Sequence, residues 1–377
     1  MSLKLVKVLC ICSLLSLTAG CWDQNFLKKQ SIAFGVGYDI AEKPKEGIHS
    51  ISIIRTMKPV GSGGQTEPYN NAYQVTGETP LQVRDEMNRI TPGTYSTNKL
   101  RVLAIGEELA KKDLYPLLDI YFREARSNIN TKIIVTEGKA VDFLDGEYIQ
   151  GNLITEVLND LIISGEKESH IPKLTIGTLM PIMFCPGQDM ILPYLSVDKG
   201  KDKNLKLKGV VLFNKRKYTG KYLTNAPASL LLLMKNKGGK TAQFTINDSK
   251  SAKAINKKIT IAVRRSKAKT TLKWESGKPI YHVDLKLKVS VSEYTKGLLT
   301  DKERKKLTKL ISKSMTKKAE EITKTLQEAN CDALGLGHKM MIQDPEKFKG
   351  YNWDEDFKDI TIIPKVKIDI VSKGVLY

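Results

Sequence analysis

The residue with the clearest chemistry in this sequence is Cys21, whose thiol follows the run Leu17-Thr18-Ala19-Gly20. A positively charged start with two lysines precedes an apolar stretch over residues 8–17. That stretch is about half as long as the roughly 20 residues that a membrane-spanning helix needs, so it is typical of a cleaved leader. Signal peptidase admits only small side chains before the cut, and a cysteine directly after them is typical of a lipid-modified chain.

We therefore predict that residues 1–20 are a lipoprotein signal peptide and that Cys21 becomes an S-diacylglycerol cysteine, with or without a further N-acyl chain. Two acyl chains are sufficient for stable anchoring, whereas one holds a protein only marginally. Thr18 stands where leucine is usual, with Leu17 one place earlier. The alternative is an ordinary signal peptide that has a cysteine near its end.

Other reactive residue types do not form a catalytic or metal-binding pattern. The four histidines, at 49, 170, 282 and 338, are not paired at metal-ligand spacing, and the sequence contains no Cys-x-x-Cys. The segment Gly238-Gly239-Lys240-Thr241 resembles the end of a phosphate-binding loop, but Met234 stands where that loop needs glycine. We interpret it as a turn, and we predict no catalytic residue, no metal site and no cofactor.

Two further cysteines, Cys185 and Cys331, remain after the predicted leader and anchor are set aside. Both lie in apolar stretches, which favours buried free thiols. A disulfide between them is the alternative, and the sequence does not decide between the two states.

Composition and charge limit the classes of protein to which the chain can belong. The chain has 377 residues, 41% of them apolar, which is enough for two or three domains with packed cores. The net charge of +20 favours an anionic partner. Because the leader predicts export, nucleic acid is excluded in practice, and anionic lipid or wall polymer remains.

The hydrophobic periodicity predicts an α+β fold with mixed or antiparallel sheets and packed helices. Residues 280–291 alternate with period two, which is typical of an antiparallel sheet with one wet face. Thr79 and Pro80 predict the start of a helix. A long C-terminal helix is predicted from Asp301 to about Asn330.

The predicted domain organisation follows from a charged segment without apolar residues at 199–204. We predict a lipidated tether over 21–30, an N-terminal domain over 31–198, a linker over 199–204 and a C-terminal domain over 205–377. The C-terminal part can itself divide, which would give three domains.

The long helix also carries many lysines. One interpretation is a basic face that docks on anionic lipid headgroups. The simpler interpretation, which we favour, is a solvated face opposite an apolar stripe in the core.

Short motifs spread over the chain, in order, resemble the C-subunit lipoproteins of spore germinant receptors, the Ger(x)C family. The first is the cysteine followed by a Trp-Asp pair, and the others are IAFGVGYD at residues 32–39, LAIGEELAK at 103–111 and DALGLG at 332–337. The residues that carry the resemblance are Trp22, Asp23, Gly35, Gly37, Asp39, Gly106, Glu108, Asp332, Gly335, Gly337 and Trp353. Leu336 departs from the phenylalanine that is common in the last motif.

The resemblance implies a non-enzymatic subunit of a membrane receptor on the outer face of the inner spore membrane. It implies a polytopic A subunit and a transporter-like B subunit as partners, small germinants such as amino acids, and an unusual three-domain α+β fold. The motif glycines are interpreted as structural, because glycine is the default residue in tight turns at strand ends.

Two other functions are compatible with an exported, basic lipoprotein. A substrate-binding lipoprotein of a transporter would have two α/β lobes with parallel sheets, which the alternating strands over 241–291 argue against. A surface-anchored cell-wall hydrolase would suit the charge, but the sequence offers no nucleophile motif or metal cluster for it.

Overall fold

A computed structural model describes residues 30–43, 47–61, 65–124, 127–145, 153–198, 204–247, 258–294 and 299–372. The predicted leader, Cys21, Trp22 and Asp23 lie outside the described residues, so their roles stay predictions.

The N-terminal half is built on a nine-stranded mixed sheet. Its strands are β1 (Gln30–Ile40), β2 (Ile48–Val60), β3 (Gln65–Gly77), β4 (Thr94–Ser96), β5 (Val102–Gly106), β6 (Lys132–Thr136), β7 (Ile191–Val197), β8 (Leu205–Asn214) and β9 (Lys217–Thr224). The order is β3-β2-β1-β5-β6-β7-β8-β9, with β4 beside β1. The central neighbours β1, β5, β6 and β7 are parallel, and both flanks are antiparallel. Every residue of β5 is buried, as expected of a strand covered on both faces.

Six helices lie within the described residues of this half: α1 (Pro80–Ile90), α2 (Glu107–Ala110), α3 (Tyr115–Arg123), α4 (Ala140–Leu144), α5 (Ile154–Lys167) and α6 (Ile176–Met183). The predicted start of α1 is confirmed, because the Thr79 side chain accepts a hydrogen bond from Gln82 N and Pro80 occupies the first turn.

The C-terminal half contains a four-stranded sheet in the order β10 (Gln243–Asn247), β11 (Lys258–Glu275), β12 (Lys278–Tyr294) and β13 (Thr361–Ser372). Pairs β10–β11 and β11–β12 are antiparallel, and β13 is parallel to β12. Helices α7 (Asn225–Met234) and α8 (Asp301–Glu328) pack on one face of this sheet. Three short helices, α9 (Leu336–Gln343), α10 (Pro345–Lys349) and α11 (Trp353–Asp356), and a 3-10 turn (Phe357–Asp359) lead back into β13.

The predicted long helix is confirmed as α8, which starts with a capping box between Thr300 and Glu303. Its buried stripe is Leu307, Ile311, Met315, Ala319, Ile322, Thr323 and Leu326. The period-two pattern of β12 is also confirmed, since Val283, Leu285 and Leu287 are buried while Lys286 and Lys288 are exposed. Ser290 has the same strand parity as Lys286 and Lys288, but it is buried beside a β-bulge between β12 and β13.

The two sheets and their helices confirm the α+β class with mixed and antiparallel strands. The predicted linker at 199–204 lies almost wholly outside the described residues. The strands on either side of it, β7 and β8, pair with each other, so the first sheet continues across this point. The domain boundaries given above stay predictions.

Candidate functional site

The described motif residues fall into two clusters, and the first surrounds Asp39 at the end of β1. Its two carboxylate oxygens accept hydrogen bonds from the backbone N–H groups of Ala140 and Val141, each at 2.8 Å. These are orphan donors of the first turn of α4, so Asp39 stabilises the start of that helix. Burial raises the pKa of Asp39, and the two backbone hydrogen bonds act against that rise.

The motif glycines near Asp39 occupy positions where an added side chain would clash, and at Gly106 the clash is with the carboxylate itself. A Cβ on Gly106 would lie 1.8 Å from Asp39 Oδ1, and one on Gly37 would lie 2.8 Å from Ile51 Cγ2. Gly35 packs in the same way against Thr155. Each glycine therefore permits a close approach of the backbone to a neighbour. Glu108 does not join the cluster, since it is exposed and pairs with Lys111 at 2.5 Å.

The second cluster surrounds Asp332, which is fully buried. Its Oδ1 accepts a hydrogen bond from Leu336 N at 3.0 Å, and its Oδ2 accepts one from Gly337 N at 2.8 Å and one from Trp353 Nε1 at 2.9 Å. We call residues 331–337, which turn around this carboxylate, the Asp332 turn. Burial raises the pKa of Asp332, against these three hydrogen bonds.

Glycine is needed at each of the two glycine positions of the Asp332 turn for a different reason. Gly335 has φ of +71°, a left-handed conformation that favours glycine, directly before α9. A Cβ on Gly337 would lie 2.4 Å from Trp353 Cε2, so only glycine allows the indole to reach Asp332. The indole contacts four other aromatic rings, those of Tyr281, Phe348, Tyr351 and Phe357.

Asp189, which no sequence motif marked, ties the Asp332 turn to the first sheet. Its carboxylate accepts hydrogen bonds from Asp332 N at 2.7 Å and from Lys215 N at 2.6 Å. Its own N–H donates to the Asp332 carbonyl at 2.9 Å. Burial raises the pKa of Asp189 to about 7, with the nearby charges of Asp332 and Asp354 adding to the rise and the two hydrogen bonds opposing it.

The loop before Asp189 packs against the same turn. Gly187 accepts a hydrogen bond from His338 N, and a Cβ on Gly187 would lie 2.4 Å from the Gly337 carbonyl carbon. Cys185 Sγ lies 3.1 Å from His338 Nδ1, and burial raises the pKa of its thiol. Cys185 and the buried Cys331 are both free thiols, as the sequence favoured. Cys185 is only partly buried and has a polar neighbour, which the sequence did not indicate.

The described residues offer neither a metal site nor an accessible catalytic triad. Among them no group of three or more His, Cys, Asp or Glu side chains is placed to hold a metal ion. Glu168, His170 and Ser229 form a chain of contacts like a catalytic triad. Glu168 Oε2 lies 3.2 Å from His170 Nε2, and His170 Nδ1 lies 3.3 Å from Ser229 Oγ. Ser229 is only 1% exposed and donates to the Asn225 carbonyl, so its hydroxyl is not available to a substrate. Within the described helices, none combines the length and apolar character needed to cross a membrane.

The fold and its two clusters thus define a two-sheet α+β protein in which the motif carboxylates hold backbone turns. Comparisons with known proteins identify the family. Residues 23–197 match the spore germination protein N-terminal domain, and residues 208–374 match the C-terminal domain described as spore germination B3/GerAC like. The chain belongs to this GerAC-like family of spore germination proteins.

Individual relatives are distant but cover nearly the whole chain. The spore germination protein GerQC of Bacillus cereus is 24% identical over 361 residues, 94% of this chain and 95% of the relative. Spore germination protein B3 of Bacillus subtilis is 23% identical over 374 residues, 94% of each chain. The crystal structure of the GerBC protein has a TM-score of 0.56 at 18% identity, covering 90% of this chain and 98% of that chain, and it shows the same fold.

Proposed function

We propose that this chain is a non-enzymatic lipoprotein subunit of a spore germinant receptor, needed for assembly of the receptor and for the response that triggers germination. The observation that carries the proposal is the match of both family domains, in order, over residues 23–197 and 208–374. The relatives are spore germination proteins, and the fold is that of GerBC.

The geometry of the motifs supports a role without catalysis. Asp39 and Asp332, the buried carboxylates of the two motifs, direct their oxygens at backbone N–H groups and an indole of the same chain. Carboxylates used in this way stabilise turns and do not face a substrate. The surfaces that the turns shape are then available for protein partners, which we propose to be the polytopic A and B subunits of the receptor.

Attachment to the membrane is proposed through acylation of Cys21, on the outer face of the inner spore membrane. The support is the leader-like sequence before Cys21. A diacylglyceryl group supplies two chains, which holds a protein stably at a bilayer.

The test of the receptor function is germination of spores that lack this gene, on a panel of amino acids, sugars and bile salts. We expect a selective loss of response to some germinants, restored by the intact gene. A normal response to every germinant would contradict the proposal. The anchor is tested separately with Cys21→Ala in the chromosomal gene, which we expect to lower receptor function and membrane retention together. Full function of a Cys21→Ala chain at native abundance would contradict the anchor alone.

A further inference from the structure

The outward face of the four-stranded sheet carries an unusual row of like charges. Lys267 of β11 is in register with Lys286 of β12, and Lys286 is in register with Lys367 of β13. All three side chains are exposed. Three neighbouring strands therefore place three lysines side by side on one face, which is opposite to the face covered by α7 and α8.

The neighbouring rows of this face are also basic. In one row Arg265 and Lys288 lie beside Asp369, and in the other Lys269 and Lys365 flank Asp284. The basic residues on the face, which we call the lysine face, are Arg265, Lys267, Lys269, Lys273, Lys286, Lys288, Lys365 and Lys367. The acidic residues on this face, Glu275, Asp284 and Asp369, do not balance them, so the face is strongly positive.

Such a row is unfavourable in the free protein, because like charges directly opposite each other destabilise a sheet. Across the described ranges, Lys267, Lys286 and Lys367 form no ion pair with a carboxylate. An anionic partner that covers the lysine face would remove this repulsion. The arrangement is therefore complementary in charge to an anionic surface.

The edge of the lysine face adds apolar groups to the cations. On β13 the outward residues include Ile363 and Val371, which are 45% and 51% exposed, with Lys365, Lys367 and Asp369 between them. Beside this strand an open groove of about 810 Å³ runs along α8, and Lys313 and Lys317 line its other side. Exposed aliphatic side chains among lysines suit a bilayer interface, where the aliphatic groups enter the headgroup region and the ammonium groups meet phosphates.

We propose that the lysine face docks on an anionic phospholipid bilayer, as a second membrane contact beside the acylated Cys21. This inference extends the proposed function. It rests on that function in one respect, namely that the acylated Cys21 brings the domain to a bilayer. Gln30 follows Cys21 by nine positions, which is at most about 30 Å of fully extended chain, so acylation of Cys21 keeps the start of β1 within that distance of the bilayer. The acyl chains then hold the protein at the bilayer, and the lysine face adds a second, electrostatic contact.

The test uses the chain from residue 21 with Cys21→Ser, which keeps every described residue and cannot be acylated. Its binding is measured by sedimentation with vesicles of phosphatidylglycerol mixed with phosphatidylcholine, and with vesicles of phosphatidylcholine alone. The triple variant Lys267→Glu, Lys286→Glu, Lys367→Glu is compared with a matched control, Lys99→Glu, Lys112→Glu, Lys173→Glu. The control lysines are exposed, have the same change in charge and lie in the half of the chain built on the nine-stranded sheet.

We expect binding to the anionic vesicles only, and a loss of at least ~100-fold in the lysine-face variant, since each lysine near an anionic surface contributes a factor of roughly five. The control should keep most of the affinity. The single variant Lys286→Glu, which should fold at least as well as the parent, should lose roughly tenfold or more, and it keeps the test valid if the triple variant misfolds.

Two outcomes would overturn the proposal. One is that the Cys21→Ser chain with all of its lysines does not bind anionic vesicles. The other is that the lysine-face variant and the control variant lose equal affinity for these vesicles. Either result would favour an acidic protein, and not a bilayer, as the partner of the lysine face. The assay contains neither spores nor receptor partners. A negative result would therefore not contradict the proposed receptor function, which the gene deletion tests separately.

Discussion

Asp189 and Asp332 exchange two hydrogen bonds across 143 residues of sequence: the Asp189 carboxylate accepts one from Asp332 N, and the Asp189 N–H donates one to the Asp332 carbonyl. Asp189 precedes β7 of the first sheet, whereas Asp332 follows α8, which packs on the second. The pair therefore joins the two halves of the chain, one within each matched family domain.

Removing the Asp332 carboxylate should destabilise the protein strongly. Asp332→Ala leaves three buried donors without an acceptor, those of Leu336 N, Gly337 N and Trp353 Nε1. Each unsatisfied buried donor costs about 1–3 kcal/mol, so we expect a loss of about 3 kcal/mol or more in the free energy of unfolding. Urea denaturation measures it, with exposed Asp160→Ala as the control. A loss below that of the control would show that Asp332 does not hold the turn.

The pH dependence of stability should carry a contribution from Asp189. Its pKa in the folded chain is about 7, above the ordinary value of 3.8, so the folded state holds the proton more tightly than the unfolded state. This group therefore favours folding fully below 3.8, and the contribution is lost as pH rises through about 7.

Asp189→Asn cannot titrate, so we expect its free energy of unfolding to fall less over that pH range than the free energy of the unmodified chain. The variant should also be less stable at low pH, because an amide offers one oxygen and cannot accept both backbone hydrogen bonds well. Urea denaturation at a series of pH values gives the slopes, with Asp160→Asn as an exposed control. Identical slopes in the unmodified chain and Asp189→Asn would contradict the assignment.

Gly337→Ala should displace the indole of Trp353. The added methyl group would lie 2.4 Å from Trp353 Cε2, which is closer than any real contact, so the ring must move and its hydrogen bond to Asp332 must break or lengthen. Overpacking of this kind costs about 1–3 kcal/mol. We expect a red-shifted tryptophan fluorescence and weaker near-ultraviolet circular dichroism along with the loss of stability. Gly350→Ala is the control, since its φ is −78° and its nearest neighbour is 3.3 Å away. An unchanged spectrum for Gly337→Ala would refute the close packing.

Local periodicity accounts for the parts of the fold that could be predicted. The alternation in β12 and the apolar stripe of α8 each identify a buried face from neighbouring residues alone. The polar strand β9 gave no such signal, because it contains Gly220 and buries only two of its residues. Strand β3 has an alternating burial pattern only in its second part, because its first five residues are all exposed.

The site was predicted as a set of motif residues but not as an arrangement. Asp39 meets Ala140, which lies 101 residues away, and the pairing depends on the order of strands in the sheet. Asp189 was missed because its function comes from a contact with Asp332 that no local pattern encodes. The segment Pro186-Gly187-Gln188-Asp189 indicated a turn, which is the one signal in the sequence that could have drawn attention to it.

Reversing the central charge of the lysine row should stabilise the isolated protein. Lys286→Glu removes repulsion with Lys267 and Lys367 and places a carboxylate between two ammonium groups. Cross-strand pairs of opposite charge contribute about 0.2–1 kcal/mol each on exposed sheets, so we expect a gain of about 0.5 kcal/mol in the free energy of unfolding at low salt. The gain should shrink as salt is added, because exposed charges are screened. Lys112→Glu, on an exposed lysine outside any such row, should show no gain. If Lys286→Glu were less stable than the parent at low salt, the lysine row would not be under repulsion, and the argument that it is kept for an anionic partner would lose its physical basis.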